Sequence, residues 1–130
     1  MDADPKTVMI VEDEPEAAEL FAEMMRVSGF QVIKASSSTL AMSLIAERNP
    51  DVIILDIMMP DVSGIEILHY MQRESTLAKI PVVVVSAKSM PSDVAEGLKA
   101  GAAVYLTKPV GFAELKNAVE RALGGIRKSA

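Results

Sequence analysis

The chain alternates short, continuously apolar runs with longer segments in which apolar residues recur every three or four positions. Three of the runs, at 8–11, 52–55 and 82–85, contain only valine, isoleucine, leucine and methionine. Runs of this length without polar alternation are typical of parallel strands that helices cover on both faces. Weaker runs at 31–35 and 103–106 bring the number of predicted strands to five.

A segment with helical spacing follows each predicted strand. The first helix is predicted to begin at Pro15 and to end before Gly29, because these residues suit the first turn and the position past the last turn. Its core-facing residues are expected to be Ala17, Leu20, Phe21, Met24 and Val27. Four more helices are predicted around Leu40–Ile45, Ile65–Met71, Val94–Leu98 and Phe112–Leu123. Strands and helices in strict alternation predict an α/β sandwich with right-handed crossovers.

Length and composition favour one folded domain. A chain of 130 residues, half of them hydrophobic, can bury a single core. Residues 1–130 are therefore expected to form one domain with its core at about 7–123. The absence of cysteine excludes a disulfide scaffold and a thiolate metal site. The net charge of -5 disfavours direct nucleic-acid binding, because that attraction depends on clustered lysine and arginine.

The sequence shows no segment of the kind that targets or spans a membrane. Its first residues are acidic and precede no apolar run, so a secretory signal is not predicted. No stretch reaches the roughly 20 apolar residues that a membrane-spanning helix needs. We therefore expect no membrane insertion and a cytoplasmic location. The polar or glycine-rich residues before Thr7 and after Leu123 are expected to be flexible.

Chemically reactive side chains stand at the ends of four predicted strands. Glu12 and Asp13 follow the first strand, Asp56 the third, Ser86 the fourth and Lys108 the fifth. Ligands of parallel α/β folds bind at the carboxyl ends of the strands, so these side chains are expected to converge. Crowded carboxylates repel one another unless a hard divalent cation with oxygen ligands binds between them. The pattern therefore predicts a Mg²⁺ site at this edge of the sheet.

Four motifs carry a resemblance to a known family. They are VEDE at 11–14, DIMMPDVSG at 56–64, VVSA at 84–87 and GAAVYLTKP at 101–109. In this order and at these spacings they resemble the receiver domains of bacterial two-component response regulators, of the chemotaxis-receiver type. The resemblance covers about 7–123 and implies a flavodoxin-like three-layer sandwich, with five helices around a five-stranded parallel sheet of order 2-1-3-4-5.

The resemblance also implies roles for individual residues. Asp56 matches the aspartate that accepts a phosphoryl group from a sensor histidine kinase, a phosphotransfer protein or a small phosphodonor. Glu12 and Asp13 match the acidic pair that holds Mg²⁺ together with Asp56, and the backbone carbonyl of Met58 would add a further ligand. Lys108 matches the lysine that pairs with the phosphoryl group or the aspartate.

The remaining matches concern the response to phosphorylation. Ser86 matches the residue whose hydroxyl meets a phosphoryl oxygen, and Tyr105 matches the aromatic residue that rotates inward when that hydroxyl moves. The resemblance implies a cis peptide bond between Lys108 and Pro109. Such chemistry needs positioning and charge stabilisation more than covalent help from the protein.

Three further residues are expected to modulate the site. Ala87 leaves room above the phosphoryl group. Met58 and Lys88, each two positions beyond a site residue, flank the route by which water would reach the phosphorus atom. We expect Met58 to obstruct that water and Lys88 not to activate it, which predicts a comparatively long-lived phosphorylated form.

The expected output is a change in a binding surface. No turnover of an external metabolite is predicted, and the signal would pass to a downstream protein partner or a fused output domain. The surface would include the fourth helix and the fifth strand. The branch of the family that pairs receivers through this face usually has two acids before the tyrosine. Because Ala103 and Val104 stand there, that ion-pair dimer is not predicted.

Three alternatives remain open at this stage. An aspartyl-nucleophile phosphatase would expect a second acid two residues after Asp56, where Met58 stands. A histidine phosphocarrier would use His69, the only histidine of the chain, which is predicted to be a surface or boundary residue. A receiver-like scaffold would bind partners without phosphorylation. Glu14 is best interpreted as an acid in the first helix turn, not as a metal ligand.

Overall fold

The computed structural model describes residues 5–125. Its strands are β1 (Thr7–Val11), β2 (Gln31–Ala35), β3 (Val52–Leu55), β4 (Val82–Ser86) and β5 (Val104–Thr107). Its helices are α1 (Pro15–Val27), α2 (Ser38–Arg48), α3 (Gly64–Arg73), α4 (Pro91–Ala100) and α5 (Phe112–Leu123). The strict alternation of strand and helix predicted from the apolar pattern is confirmed.

The strands form one parallel sheet in the order β2-β1-β3-β4-β5. The predicted flavodoxin-like topology is therefore confirmed. Register places Val11 of β1 opposite Leu55 of β3, so the next residues on these neighbouring strands are both acids. Ser86 of β4 lies opposite Thr107 of β5, and Lys108 follows directly. Because all the strands are parallel, their carboxyl ends lie together, and these polar residues share one edge of the sheet.

Helices cover both faces of the sheet. Alternate residues of the central strands enter two separate cores, because successive side chains of a strand point to opposite faces. On one face Met9 and Leu55 pack with Ile45 and Ile67, from α2 and α3. On the other face the buried residues include Val8, Ile10, Ile54, Phe21, Met25, Leu115 and Val119, the last four from α1 and α5. Because β1, β3 and β4 are buried on both faces, they carry no polar alternation.

Helix orientation was predicted less well than helix position. The side chains of Leu20 and Val27, predicted to face the core from α1, are 55% and 75% exposed. The buried residues of α1 are instead Ala18, Phe21, Ala22 and Met25. Similarly, α4 exposes Leu98 and buries Gly97 and Ala100. Small residues on both helices allow close packing, and this outweighs the larger apolar residues of the neighbouring stripe.

Other boundaries differ slightly from prediction. Ser86 is the last residue of β4 instead of the first residue after it, and β5 begins at Val104 instead of 103. Within the described residues no helix is both long and apolar enough to cross a membrane. The predicted fraying falls largely on residues 1–4 and 126–130, which lie outside the described range.

Candidate functional site

The site is built on the carboxyl ends of β1 and β3. The backbone N–H of Glu12 donates to the carbonyl of Ala35 at 3.1 Å, and that of Asp56 donates to the carbonyl of Val11 at 3.0 Å. These bonds continue the sheet ladder past the last strand residue and hold both acids at its edge. Glu12 is 2% exposed and Asp56 is 7% exposed. Two acids this deeply buried require partners.

Lys108 supplies the positive charge for both acids. Its Nζ donates to Oε1 of Glu12 at 3.0 Å and to Oδ2 of Asp56 at 3.1 Å. The second oxygen of each carboxylate accepts a backbone N–H, from Glu14 at 3.1 Å and from Met58 at 2.9 Å. Every carboxylate oxygen of the buried pair therefore has a hydrogen-bond donor.

The pKa values of Glu12 and Lys108 respond to this arrangement. Burial raises the pKa of Glu12, and the neighbouring charge of Asp56 raises it further, against the lowering effects of the bonds from Lys108 and Glu14. Burial alone would lower the pKa of Lys108, but its bonds to Glu12 and Asp56 outweigh burial, so its pKa is raised. Lys108 is therefore cationic at neutral pH and compensates only part of the negative charge around it.

Asp13 completes a group of three acids. Glu12, Asp13 and Asp56 each offer one carboxylate oxygen, and the three oxygens lie within 4.8 Å of one another. Carboxylate oxygens are the hard donors that Mg²⁺ prefers. The ion needs only one or two of these carboxylates, because it keeps several waters. The donor set therefore fits Mg²⁺. It is the only group of at least three potential ligand residues found in residues 5–125.

An open groove leads to this acidic group. It has a volume of about 460 Å³ and is lined by Asp13, Ile57, Met58, Met59, Pro60, Ser63 and Lys88. Two larger grooves, of about 540 and 620 Å³, lie at the opposite edge of the sheet, near Asp51 and Lys79. Of these three grooves, only the smallest is lined by a residue of the acidic group, so we take it as the candidate functional groove.

Ser86 and Tyr105 are linked through one residue. Ser86 is fully buried, and its Oγ accepts the N–H of Lys88 at 3.2 Å. The carbonyl of Lys88 accepts the hydroxyl of Tyr105 at 2.8 Å. The Tyr105 ring lies against Gly97, where an added Cβ would be only 2.7 Å from ring atom Cδ2. Burial is the main cause that raises the pKa of Tyr105.

The other predicted residues take varied positions. Ala87 and Lys88 are exposed beyond the end of β4, and the Lys108–Pro109 peptide bond is cis. Glu14 stands at the N-cap of α1, where its side chain makes no capping hydrogen bond. His69 is exposed on α3 and does not belong to the acidic group.

Comparison with known proteins now gives the family. The sequence profile of the response regulator receiver domain matches residues 8–120. The chain belongs to this family of signalling domains.

Individual relatives and solved structures support the same family assignment. The chain is 33% identical to the polar-differentiation response regulator DivK of Brucella anthropi, over 92% of this chain and 98% of DivK. It is 36% identical to the probable transcriptional regulatory protein TcrX of Mycobacterium tuberculosis, over 88% of this chain and 48% of TcrX. The receiver domain of the Francisella response regulator 1452 has a TM-score of 0.86 at 30% identity, covering 92% and 97% of the two chains. The chain thus spans nearly all of DivK but about half of TcrX.

Sequence reasoning missed two sets of contacts near the site. One joins Asp61 to Ser38 and Thr39 at the start of α2, and the other is the packing of Gly97 against Tyr105. The serine-rich stretch after β2 signals a helix start, but its partner is 22 positions away. The small size of Gly97 acquires meaning only once a ring lies against it.

Proposed function

We propose that the chain is a phosphorylation-controlled receiver in which Asp56 accepts a phosphoryl group in a Mg²⁺-dependent reaction. The observation that carries this proposal is the bridge from Lys108 to both Glu12 and Asp56 at 3.0 and 3.1 Å. It unites residues from the ends of β1, β3 and β5 around one carboxylate.

The transfer is an in-line displacement at phosphorus. A carboxylate oxygen of Asp56 forms the new O–P bond while the bond from phosphorus to the donor nitrogen or oxygen breaks, and the electron pair leaves with the donor. The product is a mixed anhydride. Glu12, Asp13, Asp56 and the Met58 carbonyl would hold Mg²⁺, which supplies neutralisation of charge on the phosphoryl oxygens.

The chain's own groups position and neutralise the acceptor. The N–H of Met58 fixes one oxygen of Asp56, and Lys108 provides the fixed ammonium beside the other. The new phosphoryl group carries roughly -1.5 to -2 of charge in place of the carboxylate charge, and Lys108 and the hydroxyl of Ser86 would meet it. Reorientation of Ser86 would release the N–H of Lys88 and carry the change to Tyr105.

We assign the donor to a sensor histidine kinase or a phosphotransfer protein and the output to a downstream protein partner or a fused output domain. The changing surface includes α4 and β5, whose equilibrium between two arrangements phosphorylation would bias. Residues 1–130 would form one cytoplasmic receiver domain, with its core at about 7–123. It would carry out only self-directed phosphotransfer and hydrolysis.

Acetyl phosphate tests the proposal on the isolated chain. Wild-type protein with Mg²⁺ should gain one phosphoryl group by intact mass, and Asp56→Asn should gain none. Chelation of the metal should prevent the gain. Hydroxylamine should remove the label, which distinguishes an aspartyl phosphate from a phosphohistidine at His69.

The same experiment separates the alternatives. Folded wild-type protein that takes up Mg²⁺ but no phosphoryl group would favour the receiver-like scaffold. Sustained release of phosphate from external esters would favour the aspartyl-nucleophile phosphatase, which the absence of an acid at Met58 argues against. Profiling phosphotransfer from candidate kinases, with Asp56→Asn as the control, would then identify the donor.

A further inference from the structure

The loop between β3 and α3 is held by the start of α2. We call residues 57–63 the acceptor loop, because they follow Asp56. The carboxylate of Asp61 accepts the N–H of Ser38 at 3.2 Å and both the N–H and the hydroxyl of Thr39 at 3.1 Å. The hydroxyl of Ser38 donates back to the carbonyl of Val62. These four bonds form a reciprocal connection, which we call the α2 clamp.

The clamp supplies what the first turn of α2 lacks. Helix starts leave backbone N–H groups without partners and favour negative charge. No acid stands in the first turn of α2, and Ser37 caps only the N–H of Leu40. Asp61 accepts the two N–H groups that precede it. These bonds, above all that from Thr39, hold the pKa of Asp61 far below its usual range.

Ser38 shows that the contact is built into the fold. It is 0% exposed, which is unusual for a serine at a helix start, and its hydroxyl points to the acceptor loop. A buried hydroxyl without a partner costs free energy, so its bond to Val62 is strongly favoured.

The clamp is the loop's main polar attachment. Within the loop, the N–H of Met58 bonds to Asp56 and that of Met59 bonds to the carbonyl of Ile57. Among the hydrogen bonds of residues 5–125, those joining positions 58–63 to an element other than the adjoining β3 and α3 all reach Ser38 or Thr39. The clamp therefore fixes where the backbone of the loop passes the acidic group.

We infer that Asp61 and Ser38 are positioning residues for the metal and acceptor site. Neither belongs to the acidic group, so they would contact neither the phosphoryl group nor the ion. They act by holding the acceptor loop, and with it the backbone of Met58, in register with Glu12, Asp13 and Asp56. This inference rests on the proposed function, since it concerns affinity for the same cation.

Direct Mg²⁺ titration of the full chain by calorimetry tests the inference. Asp61→Ala should weaken Mg²⁺ binding about tenfold, the lower end of the effect of removing a group that orients a ligand. Asp61→Asn keeps an acceptor oxygen and should therefore lose less Mg²⁺ affinity than Asp61→Ala. Ser38→Ala should also weaken Mg²⁺ binding. Glu66→Gln, which removes an exposed acid of α3 without touching the clamp, should leave the affinity unchanged.

Amide hydrogen exchange gives the second readout. Loss of the clamp should speed exchange at Ser38 and Thr39 in the Asp61 variants. Faster exchange there with wild-type Mg²⁺ affinity would overturn the inference while leaving the proposed function intact. Wild-type protein that binds no Mg²⁺ and accepts no phosphoryl group would overturn both. If Asp61→Ala does not fold, Asp61→Asn and Ser38→Ala decide by the same criteria.

Discussion

The two segments that border the acidic group are held in different ways. The acceptor loop, 57–63, is tied to α2 by four hydrogen bonds and is followed by Gly64, where an added Cβ would lie 2.7 Å from Cα of Ile57. Residues 87–90 between β4 and α4 are all exposed, and among the hydrogen bonds of residues 5–125 those that join Lys88 to residues outside the segment involve Ser86 and Tyr105. The acceptor loop is therefore anchored to a neighbouring helix, whereas the segment after β4 is exposed to solvent.

Removal of the Lys108 ammonium, which Glu12 and Asp56 share, should have the largest effect. Lys108→Met leaves Glu12 and Asp56 nearly buried with no positive neighbour, and breaking such a pair should cost about 3 kcal/mol of unfolding free energy. Urea unfolding at pH 7 measures the loss, and added Mg²⁺ should restore part of it by binding the folded state. Lys116→Met removes an exposed pair with Glu120 and should cost less than about 0.5 kcal/mol. Equal losses in the two variants would contradict the shared-cation interpretation.

Crowding the contact between α4 and Tyr105 should have the next largest effect. Gly97→Ala places a methyl group 2.7 Å from the ring of Tyr105, so the ring must move and lose its bond to Lys88. The overpacking should cost about 2 kcal/mol. In a Tyr105→Ala background the same change should stabilise α4 by about 1 kcal/mol, because alanine favours helix over glycine. A double-mutant cycle by urea unfolding measures this coupling, and additive effects would show that the ring and Gly97 do not interact.

The chain offers a direct reporter of ring position. It has no tryptophan and two tyrosines, so Tyr70→Phe leaves Tyr105 as the only tyrosine. Spectrophotometric titration of this background should show a raised phenol pKa, as burial requires, and Gly97→Ala should move that pKa back toward its usual value. An unchanged titration would show that the ring keeps its place.

Substitution at the mouth of the groove should alter the lifetime of the phosphorylated form. Met58→Asn and Lys88→Glu together should speed dephosphorylation on the order of tenfold, less than a dedicated general base contributes. Both residues line the groove through which water would approach. The decay of phosphoprotein after removal of acetyl phosphate measures the rate. An unchanged rate would contradict the roles expected for Met58 and Lys88.

The smallest effect concerns the stability of the α2 clamp at acid pH. The folded-state pKa of Asp61 lies below its unfolded value, so its contribution is present above that value and is lost as pH falls below about 3.8. Asp61→Asn should therefore flatten the dependence of unfolding free energy on pH below about 4. Urea unfolding between pH 5 and 2.5 measures the slope, with Glu66→Gln as the control. An unchanged slope would show that the clamp does not depend on the charge of Asp61.

The sequence predicts those elements whose burial or chemistry is encoded in a local pattern. Continuous apolar runs identified β1, β3 and β4 because these strands are buried on both faces, and the acids that follow β1 and β3 predicted the place of the candidate site. The face of α1 could not be predicted reliably, since Leu20 and Phe21 support two different stripes and packing against the sheet selects one. The clamp depends on Asp61 reaching Ser38 across 23 positions, a contact that no local pattern encodes.

The main chain and the side chain of Lys88 make different contacts. The peptide groups on either side of its Cα connect Ser86 with Tyr105, whereas the side chain extends into solvent at the groove mouth. Any residue except proline can donate that N–H. Under the proposed function, substitution of this side chain would change the rate of dephosphorylation and leave the two main-chain hydrogen bonds in place.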